Sequence, residues 1–65
     1  MVQLGDIYRY IGEMWVWGFP NKTYCYIVSA KRNEYEYELT DMMDGKWFIE
    51  LSERLRDPKI YEQLG

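Results

Sequence analysis

Histidine is absent from this chain, and cysteine occurs once, at Cys25. No internal disulfide can form, and a Cys/His zinc site is excluded. The glycines, Gly5, Gly12, Gly18, Gly45 and Gly65, stand apart from one another, so there is no glycine-rich phosphate loop. No apolar run approaches the roughly 20 residues that cross a bilayer as a helix, and no basic segment followed by an apolar one opens the chain. Positive charge is scarce as well. Eight Lys and Arg face 11 Asp and Glu, a net charge of −3 that opposes a general phosphate-binding role. The expectation is a protein of the reducing cytoplasm with no membrane association, no cofactor and no metal.

What is present is short and aromatic. A chain of 65 residues makes one domain, 1–65, which buries roughly 60% of the surface its unfolded form exposes. Domains of this size need a staple, and with disulfides and zinc excluded, an aromatic core or oligomerisation remains. The start at Met1, without tag, linker or low-complexity stretch, reads as a complete small protein. Asn21-Lys22-Thr23 fits the glycosylation pattern, but with no secretion signal it reads as a chance match in a turn.

Period-two alternation dominates the middle of the chain. Tyr24, Tyr26, Val28 and Ala30 share one face; Tyr35, Tyr37 and Leu39 share another, with Glu34, Glu36 and Glu38 opposed to them. A hairpin tip at Arg32-Asn33 would set Tyr26 opposite Leu39, Val28 opposite Tyr37 and Ala30 opposite Tyr35, which unites the apolar sets. For the next hairpin, a two-residue turn at Asp44-Gly45 would bring Glu50 opposite Leu39 and mix the faces. A three-residue turn with Gly45 left-handed avoids this, setting Asp41 opposite Trp47, Leu39 opposite Ile49 and Tyr37 opposite Leu51. Upstream, Ile7 to Ile11 and Met14 to Gly18 read as strands, with Phe19-Pro20-Asn21-Lys22 as a loop tip. Asp57 as cap, Pro58 at the first helical position and apolar Ile60, Tyr61 and Leu64 read as a terminal helix, preceded by a turn over Ser52 to Arg56.

The predicted fold is mainly β, a small five-stranded antiparallel meander over 4–51 with a turn and short C-terminal helix over 52–64. With its opening Gly5-Asp6-Ile7-Tyr8-Arg9-Tyr10, this arrangement resembles the small SH3-like barrels, over residues 4 to 51. The acidic-aromatic ligand-binding motifs of peptide-binding SH3 domains are missing, so proline-rich targets do not carry over. In size the chain resembles the free-standing accessory and inhibitor proteins that phages encode, which implies the host cytoplasm as its place of action.

Catalytic groups are hard to assemble from this sequence. Cys25 has no histidine to activate it and alternates with Ile27 and Ser29, so it reads as a half-buried strand residue. Glu34, Glu36 and Glu38 lie about 7 Å apart along one strand face, a solvated or edge-protecting stripe and not a converging acid/base pair. Asp41-Met42-Met43-Asp44-Gly45 matches part of a calcium loop but lacks the alternating acids and the distal glutamate. The chain is expected not to be an enzyme.

Aromatic residues are the main lead, at 18% of the chain. A domain this small cannot enclose a dozen of them, so some face outward. Trp15, Trp17 and Phe19 alternate to one side while Met14 and Val16 take the other, which leaves the segment apolar on both sides. Tyr26, Val28, Tyr37 and Leu39 are assigned to the core, and Trp15, Trp17, Phe19, Tyr8, Tyr10 and Arg9 to a partner-binding patch of the residue types that dominate interface hot spots. The expected function is a non-enzymatic protein-binding module, a small phage-type inhibitor or a self-associating accessory protein. One alternative is a nucleic-acid-binding barrel with stacking tyrosines and Arg9, Lys22, Lys31 and Arg32 on phosphates, which the net charge disfavours. Another is capture of a small ligand or nucleotide in an aromatic cage. Arg54, Arg56 and Lys59 read as a solvated helix face.

Overall fold

In a computed structural model, residues 1–12 and 25–65 are described. The strand expected at Met14 to Gly18, the turn at Phe19-Pro20-Asn21-Lys22 and the aromatic trio Trp15, Trp17 and Phe19 lie outside the described residues.

Among the described residues five antiparallel strands form one sheet: β1 Ile7–Tyr10, β2 Cys25–Lys31, β3 Glu36–Asp41, β4 Trp47–Leu51 and β5 Tyr61–Gln63, in the order β4-β3-β2-β1-β5. The sheet is open, with β4 and β5 at its ends. A single helical turn, α1 Ser52–Leu55, joins those two strands. Alternation sends Tyr26 and Val28 of β2 and Tyr37 and Leu39 of β3 inward, as expected, where they meet Tyr8, Tyr10, Leu55 and Tyr61. Leu39 and Val28 are the most deeply enclosed, at 0% and 1% exposure. Val2 joins this core from the N-terminal segment, its carbonyl accepting a hydrogen bond from the Tyr37 hydroxyl at 3.3 Å.

Both hairpins depart from the expected register, and in each a side chain sets the loop length. Asn33 Oδ1 accepts from the amides of Tyr35 and Glu36, at 2.8 and 3.0 Å, an Asx turn that widens the first loop beyond two residues. Val28 consequently faces Leu39 and Tyr26 faces Asp41, while Tyr35 is left outside at 70% exposure. An irregularity between Val28 and Ala30 absorbs one residue. There Ser29 Oγ donates to the Glu38 carbonyl and lies 2.8 Å from Thr40 Oγ1.

The second loop is one residue longer than predicted. Asp41 Oδ1 accepts from the Met43 amide, the Asp41 amide donates to the Lys46 carbonyl, and Gly45 takes the expected left-handed conformation at φ +76°. Leu39 therefore faces Phe48, and Tyr37 faces Glu50. A one-residue shift turns every side chain of a strand to the other side. Phe48 and Glu50 point inward, whereas Trp47, Ile49 and Leu51 point outward.

The C-terminal segment is the largest correction. Asp57 and Pro58 begin a turn, with Asp57 Oδ1 accepting from the Lys59 amide and its carbonyl from the amides of Ile60 and Tyr61. The chain then extends as β5 along β1, pairing Tyr10 with Tyr61 and Arg9 with Glu62. An isolated helix of that length is marginal, whereas β5 satisfies the free edge of β1 and buries Tyr61 to 4% exposure. Within the C-terminal segment the helix that does form is the four-residue α1, in the span expected to be a turn.

Candidate binding cleft

The register of β4 places a carboxylate in an aromatic interior. Glu50 is 7% exposed, and an isolated charge there would be costly. Three donors compensate. The Tyr61 hydroxyl donates to Oε2 at 2.7 Å, and the Leu51 amide and Arg54 Nε donate to Oε1 at 2.8 and 3.0 Å. Arg54 reaches Glu50 because α1 starts directly after β4, so the chain turns at Leu51 and brings the Arg54 side chain back to the carboxylate four residues earlier. Tyr61 arrives from β5, so this cluster ties the two ends of the open sheet together through side chains.

The electrostatics follow from that placement. Burial, reinforced by the Glu50 charge and the hydrogen bond to it, pushes the Tyr61 phenol well above its ordinary pKa, holding it protonated as a donor. For Arg54, burial works against the charge, but the hydrogen bond and the negative charge of Glu50 outweigh it and hold the pKa above its usual value. Tyr8 is also raised, by burial first and then by Asp6 and Tyr37.

Above this cluster lies a cleft of about 430 Å³, lined by Tyr10, Tyr26, Phe48 and Ile49 with Glu50, Arg54 and Tyr61. Its aromatic residues pack edge to face: Tyr26 against Phe48 at 5.2 Å and 87°, and Tyr10 against Tyr61 at 5.4 Å and 78°. Arg54 is the outermost charged group, its side chain 41% exposed while its Nε is held by Glu50. The cleft can accept an apolar group and present a fixed cation beside it.

The residues assigned to a partner patch separate. Tyr8 and Tyr10, at 3% and 7% exposure, are core residues, and only Tyr10 reaches the cleft. Arg9 pairs with Glu62 on the neighbouring strand, both side chains nearly half exposed. Trp15, Trp17 and Phe19 lie outside the described residues. Glu50, Arg54, Tyr61, Tyr26 and Phe48, which do meet, form a set that the sequence reading did not assemble. The one visible signal was the i, i+4 spacing of Glu50 and Arg54.

Cys25 is half-buried on β2. Among the described residues no group of three or more Cys, Asp or Glu is placed to hold a metal ion, and no helix is long and apolar enough to cross a membrane. Comparison of the chain with protein-family models, with curated proteins and with solved structures finds no match.

Proposed function

We propose that this protein is a non-enzymatic protein-binding module that works in a reducing cytoplasm and takes an apolar side chain of its partner into the cleft between β4 and β5. The observation that carries the reading is the cleft itself: an aromatic concavity whose one carboxylate is already committed to three donors. A group so engaged orients Arg54 and closes the interior, a structural task compatible with recognition. The strand order, with one helical turn before the last strand, supports an SH3-like reading of the fold, its seam drawn together by Tyr61 and Glu50.

The test is capture from host lysate with the tagged chain, in nuclease-treated and untreated halves, beside a Phe48→Ala variant whose folding is checked by circular dichroism. A stoichiometric protein retained after nuclease and lost with Phe48→Ala is the expected result. Recovery that disappears with nuclease would move the reading to nucleic acid, and a partner indifferent to Phe48 would remove the cleft as the contact.

A further inference from the structure

The open edge of β4 is a second surface, which shares Ile49 with the cleft lining. At the two ends of the β3–β4 ladder, the Asp41 amide donates to the Lys46 carbonyl and the Ser52 amide to the Tyr35 carbonyl. Antiparallel pairing alternates, so the even-numbered residues of β4 bond to β3, and the amides and carbonyls of Trp47, Ile49 and Leu51 point away from it. The Leu51 amide is taken by Glu50 Oε1. The rest form a strand edge that, among the described residues, has no neighbouring strand.

The side chains bordering this edge are apolar and outward. Trp47 is 58% exposed and Leu51 40%, with Ile49 half-buried between them; Met43 extends the strip at one end and Tyr35 at the other. Natural edges are normally blunted by charge, proline or brevity. The other end of the sheet follows that rule: β5 has three residues and carries the Arg9–Glu62 ion pair.

We infer that β4 is the interface through which two copies of this chain pair, antiparallel about a two-fold axis at Ile49. The pattern is self-complementary. Trp47 of each copy meets Leu51 of the other, so the methionine end of one apolar strip covers the tyrosine end of its mate. The two Ile49 residues exchange both backbone hydrogen bonds, and each Trp47 amide meets a Leu51 carbonyl. Lys46 of each copy comes beside Ser52 of the other and within reach of its Glu53, whereas parallel pairing would set Lys46 against Lys46. Capture of the Leu51 amide by Glu50 marks where the shared ladder ends. With β5 blunted, head-to-tail chaining is opposed and the assembly closes at two. The inference deepens the protein-binding reading by naming one partner, and of the cleft lining it engages Ile49 alone.

Sedimentation of the purified full chain over a micromolar to millimolar range tests it. The expected species at high concentration has twice the 8.0 kDa monomer mass. Ile49→Pro removes the central outward amide without touching the bonds to β3 and should give a folded monomer. Lys46→Glu should weaken pairing about tenfold or more by turning two attractions into repulsions, and adding Glu53→Lys should restore it. If Ile49→Pro does not fold, the charge reversal and its rescue decide. A wild-type chain that stays monomeric, a dimer indifferent to Lys46→Glu, or filaments in place of dimers would each overturn the inference. Lys46 and Glu53 do not line the cleft, so the charge reversal and its rescue test pairing without altering capture of a different protein, and the two readings fail separately.

Discussion

The Tyr61 hydroxyl, on one end strand of the sheet, donates to Glu50 on the other at 2.7 Å. No backbone ladder joins β4 to β5, so this bond links the sheet's two ends through side chains, and the Arg54–Glu50 pair holds the accepting carboxylate in place on the β4 side. Replacing Tyr61 by Phe keeps the ring and its contacts with Tyr8 and Tyr10 but leaves a buried carboxylate oxygen without its donor. The expected loss is about 1–3 kcal/mol in chemical denaturation. A change below a few tenths would mean that water replaces the phenol and the seam is not closed there.

Alkaline pH should act through the same residue. Tyr61 and Tyr8 have folded pKa values above the ordinary 10.0, so the unfolded chain loses these protons first. Their contribution is fully present below about pH 10 and falls as pH rises beyond it. Melting temperatures measured from pH 8 to 11.5 should decline above pH 10, with a shallower decline in Tyr61→Phe. Equal slopes would exclude Tyr61 as a source.

Arg54→Ala removes one of three donors from Glu50 and the outermost charge of the cleft. Because the guanidinium is substantially exposed, the stability cost should be modest, about 1 kcal/mol. Partner capture should suffer more than stability. An unchanged partner affinity in a folded variant would exclude Arg54 from recognition.

Leu39 is fully enclosed at the centre of the core, and Leu39→Ala should cost about 2–5 kcal/mol. In a domain of this size that is enough to leave much of the population unfolded at 25 °C. A cooperative, nearly unshifted denaturation curve would show that the core is centred elsewhere.

Hydrogen exchange separates the strand at the C-terminus from the helix that its residues resemble. The Leu64 amide donates to the Ile7 carbonyl across the sheet, at 2.7 Å. It should therefore be protected, and deleting residues 61–65 should unfold the domain. A fast-exchanging Leu64 amide with an intact fold would remove β5.

Alternation was enough to read β1, β2 and β3 and to put Tyr26, Val28, Tyr37 and Leu39 in the core, because period two follows from backbone geometry alone. Register was not legible to the same degree. It depends on Asn33 and Asp41 turning their side chains back on the local backbone, each lengthening a loop, and such bonds compete with shorter turns by small energies. The candidate site was hidden for a related reason. A glutamate next to a strand's apolar positions reads as outward, and Glu50 is acceptable inside only because Arg54 and Tyr61 meet it there. Tyr61 itself was misplaced since Asp57-Pro58 opens a turn as readily as a helix, and the free edge of β1 decides between them.

Asn33 also bears on the order in which the chain folds. Its side chain closes the β2–β3 loop with three hydrogen bonds, two accepted by Oδ1 and one donated by Nδ2 to Glu36, all to residues no more than three positions away. Closing so short a loop costs little entropy, and it joins the two longest strands, whereas β1 can reach β5 only after most of the chain has been gathered. The hairpin around Asn33 is therefore predicted to be the nucleus on which the N- and C-terminal strands condense. Asn33→Ala should slow refolding while leaving the unfolding rate nearly unchanged, whereas Tyr61→Phe should do the reverse.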